Sequence, residues 1–207
     1  MIVPTDQPLQ GVNRVATGLI GGTFDPIHVA HLIMAEEALE QCALDRVLFV
    51  PAPRPPHKYE GDLSPFVDRL AMVRLAVTEN PRLDVTAIEA RREGASYTIE
   101  TVQAIRSELD PDETISLIIG GDSLEQFRTW KDPDRLLTEV ELIVARRPGS
   151  CDDVVDRRVM ENARFLEMPL LGISSTDIRR RVCEGRTIRY MVPETVRSYI
   201  SEKSLYS

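Results

Sequence analysis

Short apolar runs rich in β-branched residues recur along the chain, each bounded by glycine, proline or charge: RVATGLI (14–20), RVLFVP (46–51), LDVTAI (83–88), TISLII (114–119) and VELIVA (140–145). Runs so short and so continuously apolar predict parallel strands buried on both faces. Between them, 28–42, 66–79 and 96–109 carry apolar residues at helical spacing, with acidic and basic residues on the outer faces. The alternation predicts βαβ units, and so an α/β fold: a doubly wound, mainly parallel open sheet with helices on both faces. Ligands on such a sheet bind beyond the carboxyl ends of the strands. Residues 51–65, PAPRPPHKYEGDLSP, hold five of the chain's 14 prolines and can continue neither a helix nor a central strand. They are expected to form a long loop over that edge, and a loop of this length in a compact domain is more often functional than idle.

Length and charge narrow the picture. A chain of 207 residues with 43% hydrophobic content can bury the core of one sizeable domain, expected at 14–207 behind a loosely ordered leader at 1–13. The net charge of −8 opposes a bulk surface for nucleic acid or an anionic membrane, so any anionic ligand must meet a local site. Cys42, Cys151 and Cys183 follow no zinc or CxxC spacing and read as reduced thiols. With no signal-peptide pattern and no apolar run of membrane-spanning length, the chain is expected in the cytoplasm.

Two segments carry candidate chemistry. Gly21 and Gly22 follow the first strand, where the lack of a Cβ permits a sharp turn and lets a phosphate approach the amides. Asp25 reads as an N-cap and Pro26 as the first helical residue, which places His28 in the first turn and His31 three residues on. Amides, helix dipole and imidazoles together favour a nucleotide phosphate. On spacing alone, a bare turn with two surface histidines stays open. Zinc with His57 as a third ligand lacks the pattern that completes such a site, and neither GxxxxGK[ST] nor GxGxxG occurs. Near the other end, ISSTDIRRRV (173–182) predicts a second helix start, with Ser174 and Asp177 spaced as a capping box and Thr176 and Arg179 one turn apart. Two helix starts at one sheet edge could grip both ends of a triphosphate.

GGTFDPIHVAH (21–31) together with ISSTDIRRR (173–181) resembles the paired signatures of the HxGH nucleotidyltransferase superfamily. Further segments in order, PPHK (55–58), SYTIET (96–101), GGDSL (120–124), Trp130 and IRYMVPETVRSYI (188–200), resemble the bacterial nicotinate-nucleotide adenylyltransferases over nearly the whole chain. The resemblance implies transfer of AMP from ATP to nicotinate mononucleotide, giving nicotinate adenine dinucleotide (deamido-NAD) and pyrophosphate in NAD biosynthesis. It implies that Gly21, Gly22, Thr23, Phe24, His28 and His31 hold ATP phosphates, that Ser174, Ser175, Thr176 and Arg179 hold the outer ones, and that Asp122 takes a ribose hydroxyl. Lys58 would add charge and meet the mononucleotide, whose ring Thr98 and Trp130 would frame. His28, His31, Lys58 and Arg179 are the expected catalytic set, with Mg2+ carried by ATP oxygens and no resident metal. Ala30 replaces the usual Gly of the motif, and Glu100 a common Asp. The same chemistry on nicotinamide mononucleotide or pantetheine phosphate, and a nucleotide-binding module without chemistry, are the alternatives. Small-molecule partners are expected, with no nucleic acid or membrane; a homo-oligomer is compatible with the sequence.

Overall fold

The computed structural model describes residues 14–56, 63–145 and 157–207; the expected leader at 1–13 and His57, Lys58 and Cys151 lie outside them. Six strands, β1 (Ala16–Gly22), β2 (Arg46–Pro51), β3 (Leu83–Val85), β4 (Thr114–Gly120), β5 (Glu141–Ala145) and β6 (Ala163–Leu166), form one sheet in the order β3-β2-β1-β4-β5-β6. All five pairings are parallel, as the alternation predicts. β3 is shorter than its apolar run because the chain winds into a 3-10 turn at Ile88–Arg91. β6 has no counterpart among the predicted strands. It lies at the sheet edge and buries only Leu166 fully, so its sequence ARFL carries no continuous apolar run.

The helices are α1 (Val29–Gln41), α2 (Phe66–Val77), α3 (Thr98–Glu108), α4 (Gly121–Gln126), α5 (Pro133–Glu139), α6 (Arg157–Asn162), α7 (Ser175–Cys183) and α8 (Glu194–Glu202). Alternate strand residues feed two cores, as a period of two requires. Ile20, Val47, Phe49 and Ile143 pack with α1, α2, α7 and α8, while Leu19, Leu48, Leu142 and Val144 pack with α3, α4, α5 and α6. Gly18 is dictated by the first core, since a Cβ there would stand 2.7 Å from Ile118 Cδ1 and 2.8 Å from Leu44 Cδ1. At the N-terminal edge of the sheet the buried Thr17 donates to the buried Glu113, and the part-exposed Arg46 reaches both.

Connections from β1 run outward to β2 and β3, and those from β4 run the other way to β5 and β6. That reversal leaves a crevice beyond the carboxyl ends of β1 and β4, where open α/β sheets bind their ligands.

Candidate active site

A cleft of about 650 Å³ opens at this switch point, between the glycine pairs that end β1 and follow β4. Gly21, Gly22, Thr23, Phe24, His28 and His31 line one part of it. Thr98, Asp122 and Trp130 line another, and Ser174 and Ser175 face it from α7. Thr176 and Arg179 are not on its wall, and Lys58 lies outside the described residues.

The turn after β1 is built around a buried aromatic ring. Phe24 has φ +49°, a left-handed conformation, and its ring sits edge-on to His31 (centroids 5.1 Å) and to Phe49 (5.7 Å). That ring explains Gly22, whose Cβ would lie 2.9 Å from Phe24 Cζ.

The expected helix start at Asp25 is corrected by the structure. Residues 25 and 26 form a turn, α1 begins at Val29, and the N-cap is His28 in extended conformation (φ −145°, ψ 170°). Asp25 cannot cap because its buried carboxylate is engaged elsewhere: Oδ1 accepts from the Tyr206 hydroxyl at 2.7 Å and Oδ2 from the Ser64 amide at 3.2 Å. The helix start also offers fewer free amides than expected, because Val29 N donates to Met191 O and His31 N to His28 O, both at 3.0 Å.

The two imidazoles stack at 3.7 Å between centroids, 19° from parallel, and the His28 amide donates to His31 Nδ1 at 3.2 Å. Accepting at Nδ1 puts the proton of the neutral His31 ring on Nε2, which leaves that nitrogen as a donor. Burial first, and then the neighbouring His28, hold the His31 pKa well below the ordinary histidine value. His31 is therefore a neutral hydrogen-bond donor at pH 7 in the free protein.

At α7 the predicted N-cap forms, with Ser174 Oγ accepting from Asp177 N at 3.1 Å. The expected reciprocal arm is absent from the observed bonding, since the Asp177 carboxylate takes Arg180 instead. Ser175 donates its hydroxyl to Pro26 O (2.8 Å), so a phosphate would meet its amide rather than its hydroxyl proton. Arg179 donates Nη1 to Asp25 O (2.7 Å) and Nη2 to Thr176 Oγ1 (3.4 Å). The arginine thus clamps the turn after β1 while standing behind it.

At the other end, Thr98 is the first residue of α3, where orphan amides suit an anion. Trp130 follows a 3-10 turn at Phe127–Thr129 and leans on Phe127, centroids 5.3 Å apart. It is partly buried, and so serves both as a brace on the second core and as a wall of the cleft. Glu100, the departure noted in the sequence, binds Lys131 Nζ at 2.5 Å and lies 3.7 Å from Arg92. The hydrogen bond from Lys131 lowers its pKa.

Residues missed in the sequence also meet here. Glu89 is 7% exposed, lines the cleft, and accepts from Thr101 Oγ1 at 2.5 Å; burial raises its pKa against the opposing pull of Thr101, Ser96 and Arg92. Within IEARRE it reads as one more surface charge. Met168, Pro169, Leu171 and Ile173 form an apolar wall beside α7, in an irregular segment with no periodic signal. Among the described residues no group of three or more His, Cys, Asp or Glu could hold a metal ion.

Known proteins supply the context for this geometry. The cytidylyltransferase-like family model matches residues 19–181. A probable nicotinate-nucleotide adenylyltransferase of Salinibacter ruber is 42% identical over 192 residues, covering 93% of this chain and 98% of its own. One of Syntrophotalea carbinolica is 46% identical over 210 residues, covering 91% and 96%. Among solved structures, Plasmodium falciparum nicotinic acid mononucleotide adenylyltransferase complexed with NaAD superposes with TM-score 0.77 at 19% identity, covering 93% of this chain and 98% of its own, a likeness of fold. With the switch-point cleft and the paired helix starts in place, these identities along nine-tenths of its length show that the chain belongs to the cytidylyltransferase-like family and, within it, to the nicotinate-nucleotide adenylyltransferases.

Proposed function

We propose that the chain transfers the adenylyl group of ATP to nicotinate mononucleotide, giving nicotinate adenine dinucleotide and pyrophosphate, a step of NAD biosynthesis. The observation that carries this reading is the single cleft that has the Gly21–His31 turn at one end and Thr98 with Trp130 at the other. One end suits a phosphate chain, the other a flat ring bearing an anion.

The acceptor's 5′-phosphate has a second pKa of about 6, is largely a dianion at neutral pH and attacks without a general base. The protein's work is then alignment of that phosphate with the ATP α-phosphorus and stabilisation of the charge that moves to pyrophosphate. His31 Nε2–H and the amides of the turn after β1 donate to phosphate oxygens, and the α7 start holds the far end, with Arg179 adding its charge from behind the turn. Lys58 is assigned to the mononucleotide and the α-phosphate. Asp122 is assigned to the adenosine ribose, Thr98 and neighbouring amides to the nicotinate carboxylate, and Trp130 to its ring. No covalent enzyme intermediate is required. Magnesium arriving with ATP would supply further charge neutralisation and would be held mainly through the substrate's own oxygens.

No helix among the described residues is long and apolar enough to cross a membrane. The reduced-thiol reading of the cysteines and the net charge of −8 favour work in the cytoplasm on small molecules, without nucleic acid or membrane; assembly as a homo-oligomer is compatible with it. The test is pyrophosphate release with ATP and, in turn, nicotinate mononucleotide, nicotinamide mononucleotide and pantetheine phosphate. Preference for the first is expected. Preference for pantetheine phosphate overturns the acceptor, and ATP binding with no release for any acceptor overturns catalysis.

A further inference from the structure

Arg69 on α2 has no place in the reading above, yet it is the largest fully buried side chain of the fold, 1% exposed. Its guanidinium donates to four backbone carbonyls: Thr23 O at 2.7 Å, Ala52 O at 2.8 Å, Ser64 O at 3.0 Å and Pro53 O at 3.3 Å. These belong to three separate stretches of chain, the turn after β1, the exit of β2 and the entrance of α2. Burying a guanidinium is costly unless every donor is used and a counter-charge stands near. Here four of the five donors are used, and the buried Asp25 carboxylate provides the charge, itself fixed by Tyr206 and Ser64.

The position of these bonds gives the cluster a role. Phe24, a bulky residue at positive φ, is held in a conformation that its own sterics disfavour. The carbonyl on its N-terminal side, Thr23 O, is pulled by Arg69, and the one beyond it, Asp25 O, by Arg179, each at 2.7 Å. The peptide nitrogen paired with the Thr23 carbonyl is that of Phe24, a residue that lines the cleft, so drawing the carbonyl toward α2 turns the Phe24 N–H the other way. A fork with five donors can serve four acceptors around one point; an ammonium with three cannot reproduce that pattern.

We propose that Arg69 is a positioning residue for nucleotidyl transfer: it holds the Thr23 carbonyl, and with Arg179 on Asp25 it fixes the left-handed turn at Phe24 so that the loop amides are preset for the triphosphate. The inference rests on ATP as the donor and is independent of which acceptor is used.

The variant Arg69→Lys keeps the charge and loses the fork. ATP affinity and kcat are each expected to fall roughly 10-fold or more, as displaced alignment of reacting groups does. Binding of nicotinate mononucleotide, read from the fluorescence of the single tryptophan Trp130, is expected to keep its midpoint. Unchanged ATP affinity overturns the proposal, and so does an equal loss for both ligands, which marks general loosening. Should the variant not fold, backbone NMR relaxation in ligand-free wild-type protein decides: order across Gly22–Phe24 comparable to β1 supports a preset turn, and the mobility of an exposed loop overturns it. A wrong acceptor shows separately, as absent pyrophosphate release from unsubstituted enzyme while ATP affinity still falls in Arg69→Lys.

Discussion

The two ends of the cleft are built from different materials. At the phosphate end the parts are backbone held by buried side chains: a turn at the buried Phe24 fixed by the buried Arg69 and by Arg179, His31 stacked on the buried His28, and a helix start capped by Ser174. At the acceptor end the parts are partly buried side chains, Thr98 at the start of α3 and Trp130 after a 3-10 turn, with the Glu100–Lys131 pair beside them. Buried, backbone-held donors cost no reorganisation when charge moves, which is what a step dominated by electrostatics requires. Side chains can change between relatives without moving a backbone turn, so the acceptor end is where specificity can drift while the chemistry stays.

This contrast predicts unequal penalties. The largest belongs to His31→Ala: loss of a preset donor is expected to lower kcat by roughly 10² to 10³-fold, with a much smaller change in ATP affinity. Steady-state kinetics with separate ATP binding measurements check it, and an unchanged kcat would remove His31 from the mechanism. Next comes Trp130→Ala. Stacking of a base-like ring on an aromatic contributes about 1 to 3 kcal/mol, so KM for the mononucleotide is expected to rise by roughly 10 to 100-fold while KM for ATP moves little. Equal changes in both would mean that Trp130 acts as a brace on Phe127 and not as a platform.

How much of each end was legible in the sequence follows the same division. The strands could be read because a strand buried on both faces has no choice but a continuous apolar run, and β6 escaped because an edge strand has that choice. The Gly-Gly turn and the two histidines are local in sequence, so their spacing carried the phosphate site. The helix start was misplaced because Asp25–Pro26 is a strong local signal. It was overruled by Tyr206, 181 residues away, which takes the carboxylate. Arg69 and Glu89 were invisible for a related reason: their partners are backbone carbonyls, Thr23 O among them from 46 residues away, and a threonine hydroxyl on the next helix, and no residue pattern announces those. The acceptor was legible only through resemblance, since nothing in the spacing of Thr98 and Trp130 specifies a nicotinate ring.

A smaller effect separates the ends by pH. His31 is held neutral by burial in the fold, whereas in the unfolded chain it gains a proton below about 6.5. The unfolded state therefore binds more protons in acid, and stability is lost as pH falls from about 6.5 toward the depressed folded value. Denaturation of His31→Gln is expected to be flatter across that window than that of wild type. Parallel curves would mean that the imidazole is not desolvated.

The smallest effect is expected from Glu100→Gln. The substitution keeps length and polarity but weakens the bonds to Lys131 and Arg92, which tie the start of α3 to the segment after Trp130. Because Lys131 and Glu100 are 45% and 38% exposed, solvent and salt screen that pair, and KM for the mononucleotide is expected to change by less than about threefold. The direction is upward, with ATP parameters unmoved and the difference from wild type shrinking as salt is added. A change as large as that of Trp130→Ala would show that the acceptor end is preset as rigidly as the phosphate end, with Glu100 holding the tryptophan in place. The contrast between the two ends would then lie in what they bind and not in how firmly they are built.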